Sequence, residues 1–130
     1  MPNDKNIKQL IEFASRDNDV ISVILFGSAA RNEESTQSDV DICIVLKRYN
    51  YSKIYLSEKK IKFIAEFGNL DIQIYQQLPV YIRQRILKEG KILFCKDEDE
   101  LYNVAFETIQ QYEDYKPIYD YYLQEVQYDR

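Results

Sequence analysis

Two β-branched runs, VISVILF from Val20 to Phe26 and ICIVL from Ile42 to Leu46, bracket a polar stretch with no strand pattern of its own. Runs of this length and composition form buried strands, so the chain must bring them together in one sheet. The first ends in a Gly-Ser turn, Gly27 and Ser28. The second is headed by two carboxylates, Asp39 and Asp41. Side chains alternate faces along a strand, so Asp39 and Asp41 share one side of the sheet and Val40 turns away.

Two like charges held that close resist joint ionisation unless a cation lies between them. Magnesium suits the position, because it takes carboxylate oxygens and completes its shell with water and substrate phosphates. The Gly-Ser turn supplies the complement. Gly27 allows close backbone approach, while the N–H groups that follow and the Ser28 hydroxyl hold phosphate oxygens. Carboxylates for metal beside a turn for phosphate describe a nucleoside-triphosphate site.

Gly27-Ser28, ten residues, then Asp39-x-Asp41 with Ser38 before the first Asp, resembles the motif of the DNA polymerase β-like nucleotidyltransferase superfamily. The short chain resembles, more narrowly, the minimal nucleotidyltransferases, the MntA-like antitoxins paired with HEPN-domain toxins. It departs from the pattern at Asn32, where many members carry Gly; Asn tolerates a left-handed backbone better than most residues. The resemblance implies an α/β (α+β) polymerase β-like fold, a small mixed sheet flanked by helices with a long C-terminal helical segment. It also implies a third carboxylate on a later strand.

That carboxylate is sought in LDIQIYQ, which starts at Leu70. Leu70, Ile72 and Ile74 fall on one face and Asp71, Gln73 and Tyr75 on the other. Asp71, one acid in an otherwise uncharged strand, takes the third position, although a solvent-facing Asp on an edge strand is also common.

The remaining elements follow in order. Ile7, Leu10, Ile11 and Ala14 form the stripe of an amphipathic helix with Asn3 or Asp4 as N-cap, ended by Asp17-Asn18-Asp19. Residues 29–38 begin with a candidate short helix whose N-terminus faces the Gly-Ser turn, and Arg31 is either a phosphate ligand or a solvated surface arginine. A second helix spans Ser52 to Phe67, using Ile54, Leu56, Ile61, Phe63, Ile64 and Phe67, with Gly68-Asn69 as its C-terminal stop. Pro79 opens a third helix that ends at Gly90, KILFCK is a short strand, and Asp97 with Glu100 forms a capping box for a last helix kinked or broken at Pro117. That last segment carries Tyr102, Phe106, Tyr112, Tyr115, Tyr119, Tyr121, Tyr122 and Tyr128, which wrap more than one side of a helix and line either a partner interface or the domain's own rim.

Composition narrows the chemistry. The 130 residues suit one domain, a core over about 1–96 and a helical segment over about 97–130. No histidine is present, which removes His-dependent triads, His acid–base catalysis and the commoner zinc sites. A net charge of −5 argues against a nucleic-acid-binding surface. Cys43 and Cys95 stand in strand contexts as small core residues, and no signal peptide or membrane span is evident, so a cytoplasmic protein is expected.

Assembled, Asp39 and Asp41 would hold two magnesium ions, Asp71 would ligate one of them, and Gly27 with Ser28 would grip the triphosphate, as in two-metal displacement of pyrophosphate. Since the chain offers no acceptor domain, a partner must present the acceptor. The resemblance implies a HEPN ribonuclease toxin as that partner and transfer of AMP from ATP to one of its tyrosines. Two alternatives stay open: an antitoxin that only binds, through its Tyr-rich helix, and a small-molecule nucleotidyltransferase.

Overall fold

A computed structural model describes residues 4–27 and 40–128, apart from the side chains at 119, 122 and 125–128. The order is α1 (Asp4–Ser15), β1 (Val20–Phe26), β2 (Val40–Leu46), α2 (Lys53–Glu66), β3 (Leu70–Ile74), a 3-10 turn (Tyr75–Gln77), α3 (Val80–Glu89), β4 (Lys91–Cys95) and α4 (Glu98–Tyr128). The strands form one mixed sheet in the order β3-β2-β1-β4. β1 pairs antiparallel with both β2 and β4, while β2 and β3 run parallel, joined by α2 as a crossover.

Both faces of the sheet are covered, and strand periodicity divides the core in two. Val23, Ile42, Ile44 and Ile72 face α1 and α2, meeting Leu10, Ala14, Leu56 and Phe63. Ile21, Ile24, Cys43 and Val45 face the other way, against Ile86 of α3 and Val104 of α4. A register shift between Val20 and Ser22 resets the alternation in β1, and the buried Ser22 hydroxyl donates to Phe94 O at 2.8 Å. Phe13 meets Phe63 and Phe67 edge-on at 5.1 and 5.5 Å between centroids. Each buried ring contributes about 1.5–3 kcal/mol by area alone.

Several expectations change in detail. Of the six apolar residues assigned to α2, Leu56, Phe63 and Phe67 are buried, whereas Ile54, Ile61 and Ile64 are exposed. The core stripe of α2 is therefore narrow, and Ser52 caps the helix by accepting the Tyr55 N–H at 3.1 Å. Gly68 does not adopt the left-handed stop: α2 ends through Phe67, whose N–H reaches Phe63 O, and Gly27 is the positive-φ glycine among the described residues. Pro79 stands at the N-cap of α3 rather than inside its first turn. Asp97 caps α4 as expected, accepting the Glu100 N–H at 3.0 Å, while the Glu100 carboxylate takes the Arg48 N–H at 2.7 Å. α4 is continuous through Pro117, since a proline deletes one bond in the ladder while the turns on either side persist.

The packed stripe of α4 is Leu101, Val104 and Thr108, with the buried Tyr75 hydroxyl bonded to Thr108. Tyr102, Phe106 and Tyr121 point outward. Cys43 is fully buried and Cys95 half-buried, and both are free thiols. Among the described residues no helix is long and apolar enough to cross a membrane.

Candidate functional site

The end of β1 and the heads of β2 and β3 come to one edge of the sheet. Phe26 is the register partner of Asp41, so Gly27 follows directly over that carboxylate. Gly27 has φ +78°, and a Cβ built there would overlap Asp41 Oδ2 and lie 3.0 Å from its Cγ. Both demands exclude a side chain at this position. The turn glycine and the strand carboxylate are thus held together by backbone geometry.

Asp71 is the register partner of Asp41 across the parallel β2·β3 pair. Directly opposed residues on neighbouring strands project to the same face, and the pattern continues with Cys43 beside Gln73. Asp41 and Asp71 are both half-buried. Their face is the one that carries Cys43 and Val45, toward α3 and α4. Gln73 Nε2 donates to Asp71 Oδ1 at 3.1 Å, and Lys60 Nζ donates to Gln73 Oε1 at 3.2 Å.

The donor set suits magnesium. It consists of carboxylate oxygens, with no histidine in the chain to favour a softer metal and with the nearest thiol, Cys43, buried and driven well above its usual range by desolvation. Among the described residues the carboxylates at this edge are a pair, Asp41 and Asp71. Asp39, Ser28, Arg31 and Ser38, with Asn32 and the short helix expected after the turn, lie outside the described residues.

Beside Gly27 opens a cavity of about 170 Å³, lined by Phe26, Gly27, Ile82, Arg85, Ile86 and Glu89. Ile82, Arg85, Ile86 and Glu89 recur at i, i+3, i+4 and i+7, one face of α3. The cavity sets an apolar wall and an exposed arginine next to the glycine. Reading Arg85, Gln73 and Lys60 from sequence required knowing which helix faces which edge. Gln73 alone left a trace, two residues from Asp71 in an alternating strand.

At the opposite edge lies a charged cluster the sequence reading treated as a helix stop. Asp17 is 6% exposed and accepts from Lys59 Nζ at 2.8 Å and Lys62 Nζ at 3.0 Å. Burial pushes its carboxyl up, but the bonds from Lys59, the Asp19 N–H and Lys62 outweigh that and leave it below the usual carboxylate range. Asp19 pairs with Lys59 at 3.0 Å and with the Tyr55 hydroxyl, beside a cleft of about 440 Å³ walled by Tyr49, Tyr51 and Tyr55. These groups are engaged with one another, and they sit at the end of the sheet away from Gly27, Asp41 and Asp71.

Comparison with known proteins identifies the family and the fold. A relative from Methanocaldococcus jannaschii, described as a putative protein adenylyltransferase, is 39% identical over 84 residues, which span 63% of this chain and 61% of that protein. A toxin–antitoxin crystal structure with AMP-PNP superposes with a TM-score of 0.72 at 20% identity, covering 96% of this chain and 98% of that one. A tri-AMPylated Shewanella oneidensis HEPN toxin in complex with MNT antitoxin gives a TM-score of 0.68 at 17% identity, covering 95% and 98%. At those identities the two structures speak for the fold. The family model of polymerase beta nucleotidyltransferases matches residues 8–99, which take in the whole sheet and the edge where Gly27, Asp41 and Asp71 converge. The chain belongs to the polymerase beta nucleotidyltransferase family.

Proposed function

We propose that this protein is the antitoxin of a HEPN/MNT pair, and that it inactivates its toxin by transferring AMP from ATP to a toxin tyrosine. The observation that carries the reading is Gly27 seated over Asp41, with Asp71 in register beside it. In the reaction the tyrosine oxygen forms a bond to the α-phosphorus, the bond from that phosphorus to the β-bridging oxygen breaks, pyrophosphate leaves, and the phenolic proton passes to solvent.

Within this reading Gly27 and Ser28 hold the β- and γ-phosphates, Arg31 and Ser38 add donors to the same oxygens, and Asp39, Asp41 and Asp71 are the ligands for two magnesium ions. Magnesium, when bound, neutralises phosphate charge and acidifies the attacking hydroxyl. The parallel register keeps Asp41 and Asp71 on one face, and Gly27 leaves no side chain over the Asp41 carboxylate, where metal and phosphate would be held. Arg85 and the Phe26–Ile82–Ile86 wall supply the adjoining surface for the nucleoside. A reaction with ATP and a ribonuclease toxin belongs in the cytoplasm.

A binding antitoxin is the second reading, favoured by the exposed Tyr102 and Phe106 on α4, aromatics of the kind that anchor interfaces. The double substitution Asp39→Ala with Asp41→Ala separates the two. Loss of AMP transfer and of neutralisation supports the enzyme; neutralisation retained without transfer supports binding alone.

A further inference from the structure

Asp71 is held from behind. Gln73 lies two residues further along β3, so both side chains leave the same face of an edge strand. Gln73 donates from Nε2 to Asp71 Oδ1 and accepts at Oε1 from Lys60 Nζ. Chemistry fixes the direction of both bonds. An ammonium only donates and a carboxylate only accepts, so one orientation of the Gln73 amide satisfies both neighbours. Lys60 belongs to α2, whose Leu56 and Phe63 pack on the opposite face of the sheet, and its side chain reaches past β3, the outer strand among the described residues, to arrive at Gln73.

We infer that Gln73 is a positioning residue for the third metal-binding carboxylate, with Lys60 fixing the orientation of its amide. The inference rests on the reading of Asp71 as a magnesium ligand. A lysine bonded directly to Asp71 would bring a rival cation to the carboxylate. The intervening neutral amide supplies a donor that fixes the Asp71 rotamer and engages one oxygen, while the positive charge stays one residue further away. Hydrogen bonds of this kind to a ligand carboxylate orient it and tune its affinity for metal.

The test is Mn²⁺ binding, followed by electron paramagnetic resonance in the presence of a non-hydrolysable ATP analogue, with folding checked by circular dichroism. Gln73→Leu should weaken Mn²⁺ binding about 10- to 100-fold. Lys60→Met, which keeps the helix and the aliphatic stem and so covers the case in which Gln73→Leu does not fold, should weaken it several-fold. In an Asp71→Asn background Gln73→Leu should have no further effect. Wild-type Mn²⁺ affinity in both Gln73→Leu and Lys60→Met, alongside loss in Asp71→Asn, would overturn the positioning role and leave the reading of the site intact. Wild-type affinity in Asp71→Asn itself would overturn the reading of Asp71 as a ligand, and the positioning role with it.

Discussion

Asp41 and Asp71 stand opposite each other in the parallel pairing of β2 and β3, two carboxylates on one face at the same level of the sheet. Under the proposed reading the pair shares a cation, and that gives it a thermodynamic signature. In wild type, magnesium with an ATP analogue at about 100 times the dissociation constant should raise stability by about 2.7 kcal/mol. Asp71→Asn should remove most of that increment while leaving ligand-free stability within about 1 kcal/mol of wild type. Thermal melts with and without magnesium and nucleotide give both numbers; an undiminished increment in the variant argues against a shared cation.

Gly27→Ala tests the turn. The substitution places a side chain at φ +78° and against Asp41, so strain of about 2 kcal/mol is expected together with displacement of the carboxylate. Transfer should fall on the order of 100-fold, because a displacement of about 1 Å at a reacting centre costs that much. Steady-state kinetics beside a denaturation curve separate the two effects.

The Asp17 cluster should govern acid stability. Asp17 and Asp19 titrate below their ordinary value of 3.8 in the folded protein, so the stability they contribute is fully present above that value and is lost as pH falls through their folded values. Asp17→Asn should flatten the pH dependence below about pH 4. At neutral pH it should cost about 1–3 kcal/mol, since the nearly buried Lys59 loses one carboxylate partner and keeps Asp19 at 3.0 Å. Urea melts across the acid range check the sign, and AMP transfer at neutral pH should be retained.

Thr108→Val tests the seat of α4. The Tyr75 hydroxyl is buried and bonded to Thr108, so removing that partner should cost about 1–3 kcal/mol. Tyr102→Ala and Phe106→Ala, on the exposed side of the same helix, should stay within about 0.5 kcal/mol of wild type. Calorimetry on the three variants distinguishes the packed stripe from the outward aromatics.

The strands were readable because their signals are local. VISVILF is a β-branched apolar run bounded by turn residues, LDIQIYQ alternates, and the observed β1 and β3 begin at the expected Val20 and Leu70. The Asp39-x-Asp41 spacing carried the candidacy of Asp41 and the order of elements that of Asp71, but their register, the feature that makes them a pair, depends on strand order. Gln73, Lys60 and Arg85 were invisible for the same reason, as each acquires its meaning from an element distant in sequence. Helix α2 misled at Ile54, Ile61 and Ile64 because an apolar count does not reveal how narrow the covered stripe will be. In α4 the aromatics attracted notice, while the residues that pack, Val104 and Thr108, look ordinary in a sequence.

The most direct measurement is intact-mass spectrometry of the cognate HEPN partner, incubated with this protein, ATP and magnesium, with the Asp39→Ala/Asp41→Ala variant in parallel. Mass increments of one or more AMP units are expected with wild type and none with the variant. An unmodified partner held in a stable complex with wild type would contradict the proposed AMP transfer.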